Sequence, residues 1–438
     1  MKVNQVFANA KWIIVCKIVQ SLIQLIVGML SARYLGPSNY GLLNYAASLV
    51  AFAVPFVKLG FDSTLVKELV ESPDKEGEIM GTALVLNICS SIVCMIGVCV
   101  FASIVNSGDR ESIIVCVLYS ISMVFSALEM IQYWFQYRLL SKYSSIAMLV
   151  AYVAVSFYKI YLLITSCSVF WFALSNSLDY GIIAISLLWI YKKKSDCALC
   201  WSKNWARKLF QRSKYYILAS LMLVVLHNTD HIMLTSLVNK SENGYYSAAL
   251  TCATVAQFVY VAIVDSFRPL ILTSRKESSE KFERHMTALY CIILWLGIAQ
   301  VVTFIICARP IVMLIYGAEY QPAIAVLRVL MTYFVFSLMG RVRNVWILAE
   351  QQQKYLPLIN FSGAMFNVAL NLYMIPHWGA CGAALASTIT QFFANFVLSY
   401  MIKPLRRNNQ LMLRALNPVT FVHVICEAKD IFLERKRK

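Results

Sequence analysis

Charged residues are scarce in this chain, and their scarcity excludes a soluble globular protein. Only 14% of the 438 residues are charged, whereas 60% are apolar, and the mean hydropathy is +0.66. An average soluble domain has about 25% charged residues. The connections between the apolar stretches are also short, which leaves no room for a separate soluble domain. The composition therefore indicates a protein embedded in a membrane.

Twelve long apolar stretches account for most of the sequence. About 20 helical residues cross the core of a bilayer, so each stretch, with about 20 to 27 residues, can span it. The first stretch keeps lysines near its start and no small-residue cleavage pattern follows it, which favours a retained helix over a removed signal peptide. The predicted spans are residues 12–33, 42–66, 81–105, 113–137, 145–166, 169–191, 215–238, 245–271, 286–308, 323–349, 356–376 and 380–403.

Basic residues are rare in one set of loops and common in the other. The loops after odd-numbered spans hold Arg110, Lys240, Arg309 and little else, whereas the loop after the sixth span alone holds eight lysines and arginines. Because cytoplasmic loops carry the excess of basic residues, both termini and this central loop are predicted to be cytoplasmic. The net charge of +17 then reflects topology. Its predicted partner is anionic lipid headgroups, and nucleic acid is not expected.

The two halves of the chain repeat each other. An offset of 203 residues aligns PSNYGLLNYAAS with KSENGYYSAALT, Gly41 with Gly244, and Asp62 with Asp265. Six spans per half is an even number, so the repeat is parallel, as in transporters that bind substrate between two bundles. The predicted organisation is an N-terminal six-helix bundle (1–191), a basic cytoplasmic linker (192–214), a C-terminal six-helix bundle (215–403) and a basic cytoplasmic tail (404–438).

The sequence lacks a complete metal motif. Cys197 and Cys200 form the only close cysteine pair, and no second pair completes the four ligands of a structural zinc site. The stretch His227-x-x-Asp230-His231 resembles a helical metal motif, but no third ligand is evident and aspartate is shorter than the glutamate that such chemistry uses. We therefore predict no metal and no cofactor.

Ionisable residues inside membrane spans usually face a cavity or a partner. The first span has a polar stripe at helical spacing that includes Lys17, Gln20 and Gln24, and we expect it to line a cavity. Each half also carries a close pair of opposite charges, and a self-neutralising pair and a cavity site are both open interpretations. These pairs are Lys58 with Asp62, and Asp265 with Arg268.

Other buried charges allow a structural and a functional interpretation. Lys159 and Asp179 are predicted to form an interhelical ion pair. Glu129 and Asp230 are single carboxylates, either hydrogen-bonded or able to carry a coupling proton or cation. Arg341 and the nearby Arg343 lie two residues apart, so they point to nearly opposite sides of one helix and at most one can face a central cavity.

Several strings resemble the Wzx-type O-antigen flippases. SARYLGPSNYGLLNYA resembles their R-Y-L-G-P-x-x-Y-G signature, and KLGFDSTLVKEL resembles their G-x-D…V-K-E segment. NTDHIMLTSLVNKSENGYYSAAL, MLIYGAEYQPAIAVLRVL and LNLYMIPHWGACGAALASTITQF are similar to their later spans. The resemblance extends from about residue 4 to 403. It places the chain in the MOP superfamily with the multidrug (MATE) exporters and the lipid II flippase.

The resemblance implies an all-α membrane protein with about 12 spans in two six-helix bundles, arranged in a MATE-like V. It implies transport of an undecaprenyl-diphosphate-linked oligosaccharide repeat unit, for O-antigen and lipopolysaccharide or a related polysaccharide, across a bacterial inner membrane. It further implies proton or sodium coupling, and a polymerase and a chain-length regulator as partners. By span, the diphosphate-binding cations are predicted to be Lys17, Lys58 and Arg268, with Arg341 added by depth. Gln20 and Gln24 are predicted to contact glycan, and Asp62, Glu129, Asp230 and Asp265 are the coupling-ion candidates.

Two other functions stay open at this point. A multidrug or cation antiporter of the same fold is the nearer alternative; cationic drugs prefer acidic cavities, whereas cations are expected to outnumber acids near the proposed diphosphate site. A membrane-embedded polysaccharide polymerase is less favoured, because such enzymes present a large periplasmic loop and the odd-numbered loops here are short. The chain is therefore predicted to be a transporter and not an enzyme.

Overall fold

The described part of this computed structural model is helical throughout. The structure describes the backbone of residues 3–195, 197–255 and 257–422, and the side chains in these ranges except those of residues 3–15, 17, 18, 63 and 258. The α-helices are α1 (Val3–Lys58), α2 (Phe61–Glu71), α3 (Glu76–Val105), α4 (Arg110–Ser120), α5 (Ser122–Ser126), α6 (Ile131–Tyr137), α7 (Ser141–Ile164), α8 (Val169–Lys194), α9 (Lys203–Leu237), α10 (Lys240–Thr254), α11 (Gln257–Glu277), α12 (Ser279–Ile315), α13 (Ala323–Ala349), α14 (Leu356–Phe392), α15 (Leu398–Met401) and α16 (Arg406–Ala415).

Nine helical segments of the described chain are long and apolar enough to cross a membrane, and the bent pair α10 and α11 supplies a tenth. Two of the nine are too long for one crossing. At 1.5 Å per residue, the 56 residues of α1 would extend about 84 Å, against a bilayer core of about 30 Å. α1 is broken at Gly36 (φ 71°) and α14 at Gly379 (φ 52°). Each break lies between two of the predicted spans, so each of these two helices is long enough for two crossings.

The chain divides into two compact units, Met1–Gly244 and Tyr245–Lys438. In the first unit, one core cluster joins α2, α3, α6, α7 and α8 around the buried Trp134 and Phe135. A second cluster joins α1, α4, α7 and α8 around Tyr45 and Phe172. The unit therefore consists of helices packed against helices, which is the architecture that satisfies every backbone polar group within a bilayer.

α1 and α10 cross at the two glycines that the repeat aligns. A Cβ atom on Gly41 would lie 1.8 Å from the Lys240 carbonyl oxygen, and one on Gly244 would lie 2.0 Å from the Pro37 carbonyl oxygen. Asn243 donates a hydrogen bond to the Gly41 carbonyl (2.8 Å) and is itself 2.7 Å from His231 Nδ1. Only glycine permits this approach of two backbones, so the repeated glycine marks a helix crossing.

In the second unit, a buried arginine fixes an irregular helix. Arg343 is 3% exposed and donates to the Ala394 carbonyl within the π-helix Phe393–Val397 (3.1 Å). On α16, Asn408 accepts a hydrogen bond from Tyr290 of α12 (2.7 Å), and Asn409 donates to the Phe396 carbonyl (2.7 Å). The first part of the predicted tail is therefore a helix packed on this unit.

Substituting Gly244 with alanine is expected to lower the thermal stability of the purified protein. The added methyl would overlap the Pro37 carbonyl, and such overpacking costs about 1–3 kcal/mol. Gly97→Ala is the matched control, because a Cβ there meets no atom within 4 Å and alanine favours a helix by about 1 kcal/mol. Thermal unfolding in detergent measures both variants. An unchanged midpoint for Gly244→Ala would show that the crossing tolerates a side chain.

Candidate functional site

A lysine and a glutamate form the centre of a polar cleft in the first unit. Lys58 ends α1, and its Nζ lies 3.8 Å from Oε2 of Glu129. The two side chains are 32% and 19% exposed. The separation exceeds the 2.7–3.2 Å typical of a hydrogen bond, so the attraction is mainly Coulombic. Gln132 donates to the other glutamate oxygen at 3.2 Å. The lysine is therefore weakly held and accessible to water.

Breaks in the helices position both members of the pair. Directly after Lys58, Leu59 (φ 48°) and Gly60 (φ 68°) adopt left-handed backbone conformations, and a leucine in that region is strained. Glu129 lies in a 3₁₀ turn, Leu128–Met130, that interrupts the fourth predicted span between α5 and α6. Short 3₁₀ segments within a helix often mark functional hinges. Both side chains thus project from interrupted helices.

Two pockets meet at this pair, and we call them together the Lys58–Glu129 cleft. The larger pocket, of about 170 Å³, lies among α1, α5 and α8. A smaller one of about 10 Å³ lies among α2, α3 and α6. Pockets for drug-sized ligands usually measure about 300–1,000 Å³, so the cleft can hold water or a small charged group but not a glycan. The polar side chains of the larger pocket are Lys58, Tyr119, Ser122, Ser126, Glu129, Asn176 and Tyr180.

Lys58 and Asp62 do not form the self-neutralising pair that was one of the two interpretations of their spacing. The left-handed residues between them interrupt the helix, so the spacing of one helical turn that would bring them together is lost. Lys58 pairs with Glu129 instead, while the exposed Asp62 lines the smaller pocket. One cation and two carboxylates therefore line the cleft. The cation excess predicted for the site does not hold there.

The predicted ion pair between Lys159 and Asp179 is not formed as a direct contact. The two charges act on each other electrostatically, but no ion pair within 4.0 Å joins them. Asp179 Oδ1 is buried and has no hydrogen-bond partner among the described residues. The same is true of Oδ1 of Asn87, which lines the smaller pocket and is 2% exposed. The first unit thus contains two buried acceptor oxygens near its charged cleft.

Sequence reasoning missed several polar residues of this cleft. Asn87, Asn176 and Ser126 line it, yet they were not among the predicted site residues. The sequence could have indicated them, because an uncharged polar residue inside an apolar span also needs a hydrogen-bond partner or water. Which of the many such residues face one another depends on how the helices pack.

The other predicted site residues of the first unit do not line the Lys58–Glu129 cleft as the structure describes it. The Lys17 side chain lies outside the described residues. Gln20 is half-buried and Gln24 is exposed on α1, and a Cβ on nearby Gly28 would meet no atom within 4 Å. That stripe therefore faces open space. Asp230 is 2% exposed on α9, and its coupling role stays a prediction.

The second unit holds the other predicted cations. Arg268 Nη2 lies 2.8 Å from Asp265 Oδ1 on α11, which confirms the expected pair. Arg341 is exposed and Arg343 is buried on α13, as their spacing predicts for opposite sides of a helix. Their predicted convergence with Lys58 on one substrate stays a prediction. In the described part of the chain, no group of three His, Cys, Asp or Glu side chains could hold a metal ion.

A double-mutant cycle on Lys58→Met and Glu129→Gln is expected to give a coupling free energy below about 1 kcal/mol, as for other solvated ion pairs. The reason is the 3.8 Å separation and the partial exposure of both side chains. Thermal unfolding of the two single variants and the double variant measures it. A coupling of 3 kcal/mol or more would show a locked pair that is not available for exchange.

The fold is similar to that of two solved membrane-protein structures. The structure of lipid II flippase MurJ in an inward closed conformation is similar with a TM-score of 0.69, at 14% identity, over 97% of this chain and 99% of that one. An inward-facing multidrug MATE transporter is similar with a TM-score of 0.66, at 13% identity, over 91% and 96% of the two chains. The predicted all-α, multi-span, MATE-like class is confirmed.

The sequence profile of the family described as "Polysaccharide biosynthesis protein" matches residues 6–274, more than half of the chain. The chain belongs to this family. It is also 22% identical, over 406 residues, to the capsular polysaccharide biosynthesis protein CapF of Staphylococcus aureus, with 90% of this chain and 98% of that protein covered. The protein is thus a multi-pass membrane protein of the polysaccharide biosynthesis family, with a fold similar to that of the MurJ and MATE structures.

Proposed function

We propose that the chain moves an oligosaccharide repeat unit, linked to a long isoprenoid by a diphosphate, from the cytoplasmic to the outer leaflet of a bacterial inner membrane. Family membership supports a polysaccharide substrate. The flippase neighbour supports a lipid-linked one. Both termini are then cytoplasmic, as the distribution of basic loops predicts.

The observation that carries the proposal is the weakly paired ammonium of Lys58. A diphosphate has more negative charge and more acceptor oxygens than one carboxylate, and charge-assisted hydrogen bonds are stronger than neutral ones. It can therefore displace Glu129 from a partner 3.8 Å away. The cleft has space for a headgroup but not for the sugars. The glycan then occupies a different, wetter space, for which the stripe with the half-buried Gln20 and the exposed Gln24 is the candidate.

Displacement from Lys58 gives Glu129 a role in energy coupling. Once its cation is engaged by the substrate, the carboxylate is free to bind a coupling ion that enters the cleft from water. The other titratable groups facing the cleft are Asp62 and Tyr133 on one side and Tyr119 and Tyr180 on the other. A proton or a sodium ion is thus the proposed coupling ion, and its binding to Glu129 accompanies the release of Lys58.

Lys58→Gln is expected to reduce export of the surface polysaccharide at least tenfold when it replaces the wild-type protein in a strain lacking its own copy. Lys58→Arg, which keeps the charge, should retain more export than Lys58→Gln. Gel electrophoresis measures the amount of surface polymer, and lipid extraction measures the amount of lipid-linked intermediates. Complete but unexported repeat units should accumulate in the Lys58→Gln strain.

Lys67→Gln is the matched control, since Lys67 is exposed on α2 and pairs only with Glu71 across one helical turn. It should export normally at equal protein level. Normal export by Lys58→Gln would show that Lys58 does not bind the substrate. Normal surface polymer in the deletion strain, with no accumulated intermediate, would refute the proposed function.

A cation antiporter is the second candidate, because carboxylates outnumber the cation in the cleft. Asp62 and Glu129 line it together with Lys58 alone. Export of a fluorescent cationic drug by the wild-type protein, abolished in Glu129→Gln, would favour this function. The volume of the cleft favours the headgroup of a lipid over a whole drug molecule.

A further inference from the structure

The first turns of α9 carry their basic residues on two opposite faces. Lys203, Arg207 and Lys214 lie at positions i, i+4 and i+11, within about 40° of each other around a helix that rotates 100° per residue. All three side chains are exposed, as is Phe210 between them. None of the three cations forms an ion pair within 4.0 Å of a described carboxylate. One face of the helix is therefore an unneutralised basic stripe.

The opposite face of α9 is fixed to the first unit. Trp205 and Leu209 are buried there. Glu68 of α2, itself 1% exposed, pairs with Lys208 (3.3 Å) and with Arg212. Arg212 also bonds the exposed Glu71 and thereby holds the pKa of that carboxyl below its usual value. These two cations neutralise carboxylates of the protein, so the stripe on the other face has a different partner.

The segment before α9 sets the helix at a defined place. Cys200 donates its backbone N–H to the Gly77 carbonyl (3.1 Å), and Ser202 donates to Thr82 Oγ1 (2.9 Å). A Cβ on Gly81 would lie 2.5 Å from the Cys200 carbonyl oxygen. Residues 197–202 therefore pack directly on the start of α3, and the stripe is held at the end of the membrane-spanning helices.

A second group of exposed cations and several exposed aromatic side chains lie near the stripe in sequence. Lys192, Lys193 and Lys194 at the end of α8 are exposed, and Lys193 Nζ lies 3.8 Å from the centre of the Trp189 ring. Three of the surrounding rings are among the most exposed in the unit, namely Trp189, Trp201 and Tyr215. Tryptophan and tyrosine beside lysine and arginine are typical of the boundary between lipid tails and headgroups.

We propose that these residues form a specific binding surface for anionic phospholipid headgroups. We call it the basic shelf, made of Lys192, Lys193, Lys194, Lys203, Arg207 and Lys214. Cations bind the phosphates while the exposed rings enter the upper part of the acyl layer, as in helices that lie in the membrane interface. A soluble polyanion would match the charges but leave Phe210, Trp201 and Tyr215 in water. The shelf is independent of the substrate and its cleft.

The test is a titration of the full-length protein in detergent with phosphatidylglycerol or with phosphatidylcholine, in which native mass spectrometry counts bound lipids. The wild type should bind phosphatidylglycerol at least about 100-fold more tightly than phosphatidylcholine, and the preference should shrink with salt. Each interfacial cation raises the affinity for an anionic lipid about fivefold. The double variant Lys203→Gln with Arg207→Gln should therefore bind phosphatidylglycerol roughly 30-fold more weakly. Phosphatidylcholine binding should stay unchanged.

The matched control is Arg110→Gln with Arg309→Gln, which removes the same charge from exposed positions of odd-numbered loops. It should change phosphatidylglycerol affinity less than twofold. Arg207→Lys, which keeps the charge, should bind as the wild type does and separates loss of charge from loss of folding. The proposal would be overturned if the control lost as much phosphatidylglycerol affinity as the α9 variant, or if the α9 variant lost none. Displacement of the lipid by equimolar inorganic phosphate would also overturn it.

Discussion

The constraint on which the structure depends is the absence of water in a bilayer core. Every backbone N–H and C=O group there must find its partner within the protein, so the chain is helical and each break needs a local remedy. The break in α1 is at Gly36, where glycine accepts a positive φ without strain. The carbonyl freed around the π-helix of the second unit accepts from Arg343. Irregular backbone and polar side chains therefore occur together.

The same constraint explains why opposite charges meet in this protein. Glu68 and Glu76 are each 1% exposed. Glu68 is paired with Arg212, and Glu76 is paired with Arg138. These carboxylates are neutralised by direct ion pairs and hold helices together. Lys58 and Glu129 are farther apart and wetter. The difference between a structural pair and an exchangeable pair is one of distance and exposure, and it separates the proposed site from its surroundings.

The basic residues have three different uses that composition alone does not distinguish. Lys208 and Arg212 neutralise Glu68, Lys58 faces a cleft, and Lys203 and Arg207 face outward. Prediction from the sequence treated the loop 192–214 as a single basic linker that sets topology. Helical rotation divides its charges between two faces, and only the packing of α9 on α2 decides which of them remain unneutralised.

The sequence by itself determined the all-α membrane class, the spans, the pair Asp265–Arg268 and the repeat that aligns Gly41 with Gly244. Periodicity and short spacing along one chain carry that information. Tertiary structure decided that Lys58 pairs with Glu129, 71 residues away, and that Asn87 and Asn176 line the same cleft. Contacts between helices depend on rotation and crossing, and the left-handed residues Leu59 and Gly60 change both within a single turn.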